Sequence, residues 1–403
     1  MRLTVLVIDR APPMNPAQGN ELIARNLFPL LRIDHRLILV APVVAGEEVT
    51  ARAGLEGLFD TVRLVPRAKR MPSLRGWFEP FVARLGVRLR GPLDSDAAAR
   101  FRREIREVLA TESIDVVHVR QLPMSSYAAD LGSTPRLLEL VDSETLAARR
   151  ELAGTLRATI RRRIARVIER QAIRPFPIVT AVAAADAAAL RSLAAGGRVE
   201  VIPNGVDAAR FRPLTDMAVR PGSVVFVGAM SFPPNVAAVH WFVAEVLPRL
   251  RAIRPDVSLT IVGRDPLDSI AALAADPAIT VTGAVDDVRP YLARAAAVVA
   301  PMVSGSGIKN KVLEAMAMQR PVVATPLAVE GLTAQAGRDF LVADGPVAFA
   351  AAVASLLADP VQATSIGAAG RALVEATYTW EACAARYAAI YEELASAGRE
   401  AGS

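Results

Sequence analysis

Residues 301–325 read PMVSGSGIKNKVLEAMAMQRPVVAT, from Pro301 to Thr325. An apolar run, Ala297 to Ala300, precedes the segment, and a β-branched run, Val322 to Ala324, closes it. Between them lie a glycine-bearing loop, Ser304-Gly305-Ser306-Gly307, and a helix expected to begin near Ile308. Strand, small-residue loop and helix N-terminus make an anion site, because glycines admit a close backbone approach and the first helical amides point at the ligand. A diphosphate suits such a site.

Lys309 and Lys311 fall at the start of this helix, where the dipole disfavours cations unless an anion compensates. The chain has 47 basic residues, and only Lys69, Lys309 and Lys311 are lysines. Placing two of the three here selects a small mobile point charge suited to phosphate; the alternative is a pair of surface lysines. Glu314 follows one turn later within the apolar run Val312, Leu313, Ala315, Met316. A carboxylate in such company needs a partner. A ribose diol is one, since the carboxylate accepts both hydroxyl protons, and an internal ion pair with Lys311 is the other.

Working outward, the same alternation of short β-branched runs and longer helical stretches recurs from end to end, the pattern of parallel sheets with crossover helices. Strands are expected at 3–8, 36–41, 62–65, 115–119, 137–141 and 178–182, then at 224–227, 258–262, 280–282, 297–300, 322–324 and 340–343. Pro203 and the Asn204-Gly205 pair in Val201 to Asp207 (VIPNGVD) enforce a turn between the two sets. The fold class is therefore α/β with two Rossmann-like parallel-sheet domains, residues 1–200 and 201–378, and a closing helix over 379–397. That helix presents Trp380, Cys383, Tyr387 and Ile390 or Tyr391 on one face. Length agrees, because 403 residues exceed what one hydrophobic core usually serves. Ligands of parallel sheets bind beyond the carboxyl ends of the strands, so an inter-domain cleft is the expected site.

Composition excludes several classes. With 52% apolar and 22% charged residues, wholesale disorder is ruled out. No apolar stretch approaches the ~20 residues of a spanning helix, and Arg2 to Asp9 is too short for a signal sequence, so a cytoplasmic location is expected. Cys383 is the single cysteine, leaving no internal disulfide or thiolate cluster, and reads as packing. No His-x-x-x-His or His-Glu-x-x-His spacing is present, so no metal is expected. Asp94-Ser95-Asp96 resembles a metal-binding D-x-D, but after Gly91-Pro92 an Asp is a good helix cap.

The net charge of +6 is concentrated in the first half. Twelve basic residues face four acidic ones between Arg63 and Arg106, around Trp77, Phe78 and Phe81; Arg149 to Arg174 holds nine arginines against Glu151 and Glu169. Two readings stand: solvated helix faces, or peripheral docking on an anionic membrane. No nucleic-acid motif accompanies the charge, so no nucleic-acid partner is expected. Of the three histidines, His35 reads as structural and His240 as packing; His118 ends the strand DVVHV, where either a functional or a core role fits.

The second half resembles a known family, the retaining glycosyltransferases of family four, also called group 1, with the GT-B fold. The resemblance rests on PNGVD (Pro203 to Asp207), Val227-Gly228, the IVG loop (Ile261 to Gly263), the Thr282 to Asp287 turn and KVLEAMAMQRPVVAT (Lys311 to Thr325). It implies transfer of a sugar from a nucleotide-diphosphate-sugar to a glycan or lipid-linked acceptor in bacterial polysaccharide or surface-glycan synthesis. The nucleotide-sugar is a substrate and no cofactor is implied. Glu314 would bind the ribose and Lys309 or Lys311 the diphosphate. Gly263, Gly283 and Val285 would line the base pocket, with Gly228, Arg264, Val312 and Leu313 in the donor surround. Gly307 and Ile308 would offer amides, with Ser306 beside them. Gly19 would bring amides from the first domain, and His118 would lie near the donor sugar. Two alternatives remain open: a nucleotide-sugar 2-epimerase, and a non-catalytic nucleotide-sugar-binding protein.

Overall fold

The computed structural model describes residues 2–14, 19–68, 93–150, 156–194, 196–305 and 308–402. Half of the basic residues of the first cluster, Lys69 among them, lie outside these residues with Trp77, Phe78 and Phe81, as do Glu151, Ser306 and Gly307.

The chain forms two compact units, 1–203 with 383–403, and 204–382. In the first, seven parallel strands are β1 (Thr4–Ile8), β2 (Arg36–Val44), β3 (Thr61–Arg67), β4 (Val116–Arg120), β5 (Arg136–Glu139), β6 (Ile178–Ala181) and β7 (Arg198–Val201). Their order is β3-β2-β1-β4-β5-β6-β7. The second unit holds β8 (Ser223–Val227), β9 (Ser258–Val262), β10 (Ile279–Val281), β11 (Ala297–Ala300), β12 (Val322–Ala324) and β13 (Leu341–Val342), ordered β10-β9-β8-β11-β12-β13. All ladders are parallel.

Helices cover both faces of a parallel sheet, so its central strands are apolar throughout rather than alternating. β8 and β11 are buried at every position. The expected strands appear with ends shifted by up to three residues. β7 was not anticipated: its sequence RVEV places Arg198 and Glu200 in a short edge strand, where one side is open to water and the continuous apolar signal is lost.

Each sheet reverses its winding once, between β1 and β4 in the first unit and between β8 and β11 in the second. Crossovers leave in opposite directions on either side of such a point, opening a crevice beyond the carboxyl ends of the two strands. Asp9 and Gln121 lie at that edge in the first unit; Gly228 and Pro301 occupy the equivalent places in the second.

The final helix, Trp380–Gly402, buries Trp380, Cys383, Tyr387, Ile390 and Tyr391, the face expected from its periodicity. Cys383 Sγ meets the Pro203 carbonyl at 3.1 Å. From Cys383 onward this helix belongs to the first unit. Asp94 caps the helix Ser95–Thr111, its carboxylate accepting from the Ala97 amide at 2.8 Å. Among the described residues no single helix is long and apolar enough to cross a membrane, and no three His, Cys, Asp or Glu side chains are grouped so as to hold a metal ion.

Candidate functional site

In the second unit the helix after the glycine loop is Asn310–Ala317, with Lys309 at its N-cap, two residues later than expected. Lys311 directs its side chain toward the switch point. Its Nζ lies 2.6 Å from Asn235 Oδ1, 3.9 Å from Met302 Sδ and 4.1 Å from the Phe226 ring centroid. Asn235 is in the first turn of the helix Pro233–Trp241 that follows β8. Its Nδ2 donates to the Ala229 carbonyl at 3.0 Å.

Lys311 and Glu314 are only half-buried by surface yet closely surrounded by protein atoms. Burial lowers the Lys311 ammonium to about 7, with Glu314 opposing and Lys309 adding to the fall. Burial likewise raises the Glu314 carboxyl, against the pull of Lys311 and Arg210. Lys311 gives a hydrogen bond to Asn235, while Glu314 acts on it as a nearby charge that favours the ammonium. A cation and a carboxylate, each poorly solvated and one turn apart, are matched to a ligand with complementary groups.

Two glycines bring the strand ends together. The Gly228 amide donates to Val262 O at 3.0 Å, and a Cβ on Gly263 would stand 1.7 Å from Gly228 O. A Cβ on Gly228 would lie 2.6 Å from Asn235 Nδ2 and 3.1 Å from Lys311 Nζ. Gly263→Ala is therefore expected to cost several kcal/mol, about 3 or more, by forcing β8 and β9 apart; a lower thermal midpoint with loss of nucleotide binding checks this.

Other expected residues are placed as follows. Gly283 turns at φ +68° in open space, with Val285 half-buried beside it. Arg264 is exposed and pairs with Asp265 at 3.3 Å. Ile308 is buried. The side chains of Val312 and Leu313 are wholly in the core, so it is their backbone that remains for a ligand. Gly19 opens the helix Gly19–Asp34 after β1.

His118 is the residue expected near the donor sugar. It is fully buried in the first unit, with Nδ1 2.7 Å from Tyr391 OH and Nε2 2.9 Å from Glu139 Oε2. Tyr387 stacks on the ring at 5.3 Å and Phe28 meets it edge-on at 5.8 Å. Nδ1 hydrogen-bonds the Tyr391 hydroxyl, whereas Nε2, although close to Glu139, has no aligned hydrogen-bond partner. The residue two places on matters more. Arg120 binds Glu139 through Nε (3.1 Å) and Nη2 (2.9 Å), Asp9 through Nη1, and the Asn20 carbonyl through Nη2 at 2.9 Å. Burial works against the guanidinium's charge, but Asp9 and Glu139 hold it firmly protonated. Gln121 follows at φ +69°, its Nε2 donating to Asp9 Oδ1 at 3.1 Å.

Asp9, Arg120, Glu139 and Asn235 are what the sequence reading missed. The signal was faint: a charged residue at the end of a buried strand, as in VVHVR, and an Asn just after Pro-Pro. His35 is buried against Tyr391, and His240 meets Ser269 Oγ at 3.2 Å.

Two parallel-sheet α/β units define the GT-B class. Sucrose-phosphate synthase from Thermosynechococcus elongatus has this fold (TM-score 0.70, 18% identity, 98% of this chain and 100% of that one). So does Anabaena HepE crystallised with UDP (TM-score 0.68, 14% identity, 97% and 100%). The pattern of Glycosyltransferase Family 4 matches residues 34–210, and that of Glycosyl transferases group 1 matches 221–359. The chain belongs to this glycosyltransferase family. It is 29% identical over 309 residues to the phosphatidyl-myo-inositol mannosyltransferase of Mycolicibacterium smegmatis, covering 73% of this chain and 75% of that one. It is 33% identical over 215 residues to a GDP-mannose-dependent phosphatidylinositol monomannoside mannosyltransferase of Mycobacterium tuberculosis, covering 47% and 54%.

Proposed function

We propose that this glycosyltransferase moves a sugar, with retention, from a nucleotide-diphosphate-sugar held in the second unit to a glycan or lipid-linked acceptor of a bacterial cell-surface pathway. The observation that carries the reading is the placement of Lys311 beside Asn235 and Gly228 at the β8/β11 switch point, with Glu314 one turn along the same helix. Glu314 accepts the ribose hydroxyls, and Lys311 with Lys309 faces the diphosphate. As the anomeric bond breaks, negative charge grows on the leaving phosphate; preorganised cations and amides that hold it more tightly lower the barrier. The leaving oxygen takes the acceptor hydroxyl's proton on the same face, and no resident metal is required. The phosphatidylinositol acceptors in the names of two relatives support a lipid-linked acceptor for this chain.

The test is a thermal-shift panel of UDP-, GDP-, ADP- and TDP-sugars, with and without EDTA. One nucleotide is expected to raise the midpoint, EDTA to leave the shift intact, and the Lys309→Ala/Lys311→Ala double variant to abolish it. Binding that survives in the double variant removes the lysines from the site.

A further inference from the structure

The carboxamide of Asn235 is oriented by chemistry alone. A carbonyl can only accept and an ammonium can only donate, so Nδ2 must face Ala229 O and Oδ1 must face Lys311. The residue is buried, 7% exposed, on a different element from the lysine it holds. Three segments converge there: Gly228 at the end of β8, the first turn of the helix Pro233–Trp241, and Lys311 from the helix Asn310–Ala317. Around the ammonium are the Phe226 ring and the Met302 sulfur. A lysine on a flexible four-carbon stem has little intrinsic reason to choose this spot; the single amide oxygen fixes it.

We propose that Asn235 is a positioning residue for donor binding, anchoring the Lys311 ammonium at the β8 switch point without neutralising it. This rests on the reading of that switch point as the diphosphate site. A carboxylate at 235 would anchor the lysine equally well but would compete with the diphosphate for its charge. An amide oxygen occupies one of the three ammonium donors and leaves the positive charge for the ligand.

The charged groups acting on Lys311 are Glu314 on its own helix and Lys309 at that helix's N-cap; Phe226, Met302 and Asn235, from the other packed elements, are neutral. With the ammonium titrating at about 7 in the free protein, it is charged below that pH and neutral above it. Donor affinity is thus expected to hold below pH 7 and to weaken above it by up to tenfold per pH unit, because binding must then take up a proton.

The experiment is calorimetric titration of UDP-glucose and GDP-mannose, whose diphosphates keep constant charge from pH 6 to 9, into wild type, Asn235→Ala and Asn235→Asp. Asn235→Ala is expected to weaken binding about tenfold, the lower range for a hydrogen bond to a charged group, and to move the pH midpoint downward, since the ammonium loses its only amide partner. Asn235→Asp is expected to weaken binding at pH 6.5 as well but to move the midpoint upward by about a unit or more, as an adjacent carboxylate favours the charged lysine. A role in packing alone would leave the midpoint in place. Wild-type affinity and an unmoved midpoint in Asn235→Asp, which keeps the residue's shape if Asn235→Ala fails to fold, overturn the proposal. Absence of wild-type binding to either probe, or to any nucleotide of the panel, overturns the donor-site reading with it.

Discussion

Glu314→Ala is expected to lower kcat/KM by about a hundredfold or more and to erase the donor-induced thermal shift, while leaving the donor-free protein as stable as wild type or slightly more so. The first half follows from the bonds a carboxylate makes to a diol: two hydrogen bonds to a charged acceptor, each worth about 1.5–3 kcal/mol. The second follows from its surroundings. Val312, Leu313, Ala315 and Met316 around it are all fully buried, and burial raises its carboxyl above the ordinary range; in the free protein the group is poorly stabilised. A residue kept for ligand rather than for fold gives this opposite pairing of effects. Glu314→Gln separates charge from shape, and is expected to retain the midpoint while still losing most of the affinity. Scanning calorimetry without donor and initial rates with it provide the check. A Glu314→Ala protein that is strongly destabilised, or that turns over normally, assigns the carboxylate to the fold instead.

Arg120→Ala carries the largest expected loss of stability, about 3–5 kcal/mol, because it strands Asp9 and Glu139 in the core without a cation. Typical domains have only ~5–15 kcal/mol in all, so the first unit is expected to be barely folded at neutral pH. The sign of the pH dependence identifies the cause. Without the guanidinium both buried carboxyls have folded-state pKa values above their unfolded ones. Their stability is then fully present below about pH 4 and lost as pH rises through the folded values. Urea midpoints of Arg120→Ala should therefore improve from pH 7 to pH 5, relative to wild type. A triple variant, Asp9→Asn/Arg120→Met/Glu139→Gln, should recover much of the loss by removing the stranded charges together. An Arg120→Ala protein with a wild-type midpoint at pH 7 contradicts the ion network.

These two sites were unequally legible. Lys309, Lys311 and Glu314 could be singled out because each breaks a local rule: cations at a helix start, and a carboxylate in an apolar run. Arg120 breaks a rule too, but its partners lie at Asp9, 111 residues back, and Glu139, 19 residues on. His118 shows the same difficulty from the other side. Its place at the end of a strand was readable, but the side chains awaiting it were not: Tyr387 and Tyr391 arrive from the last helix of the chain.

The sequence by itself determined the architecture of this protein, since uninterrupted apolar runs such as Val224 to Val227 and Ala297 to Ala300 only make sense as strands covered on both faces. It also singled out the segment proposed to hold the anionic ligand, through the lysines and glutamate that follow β11. The tertiary structure decided which strands are neighbours, with Val7 brought beside His118 and Ala297 beside Val224, and hence which end of which strand opens at a switch point. It alone decided that Asn235 and Lys311, 76 residues apart, share one hydrogen bond, and that Gly228 and Gly263 must have no side chain. Local pattern records the environment each residue prefers; a hydrogen bond or a close approach between distant segments depends on register and crossover path, which no window of sequence contains.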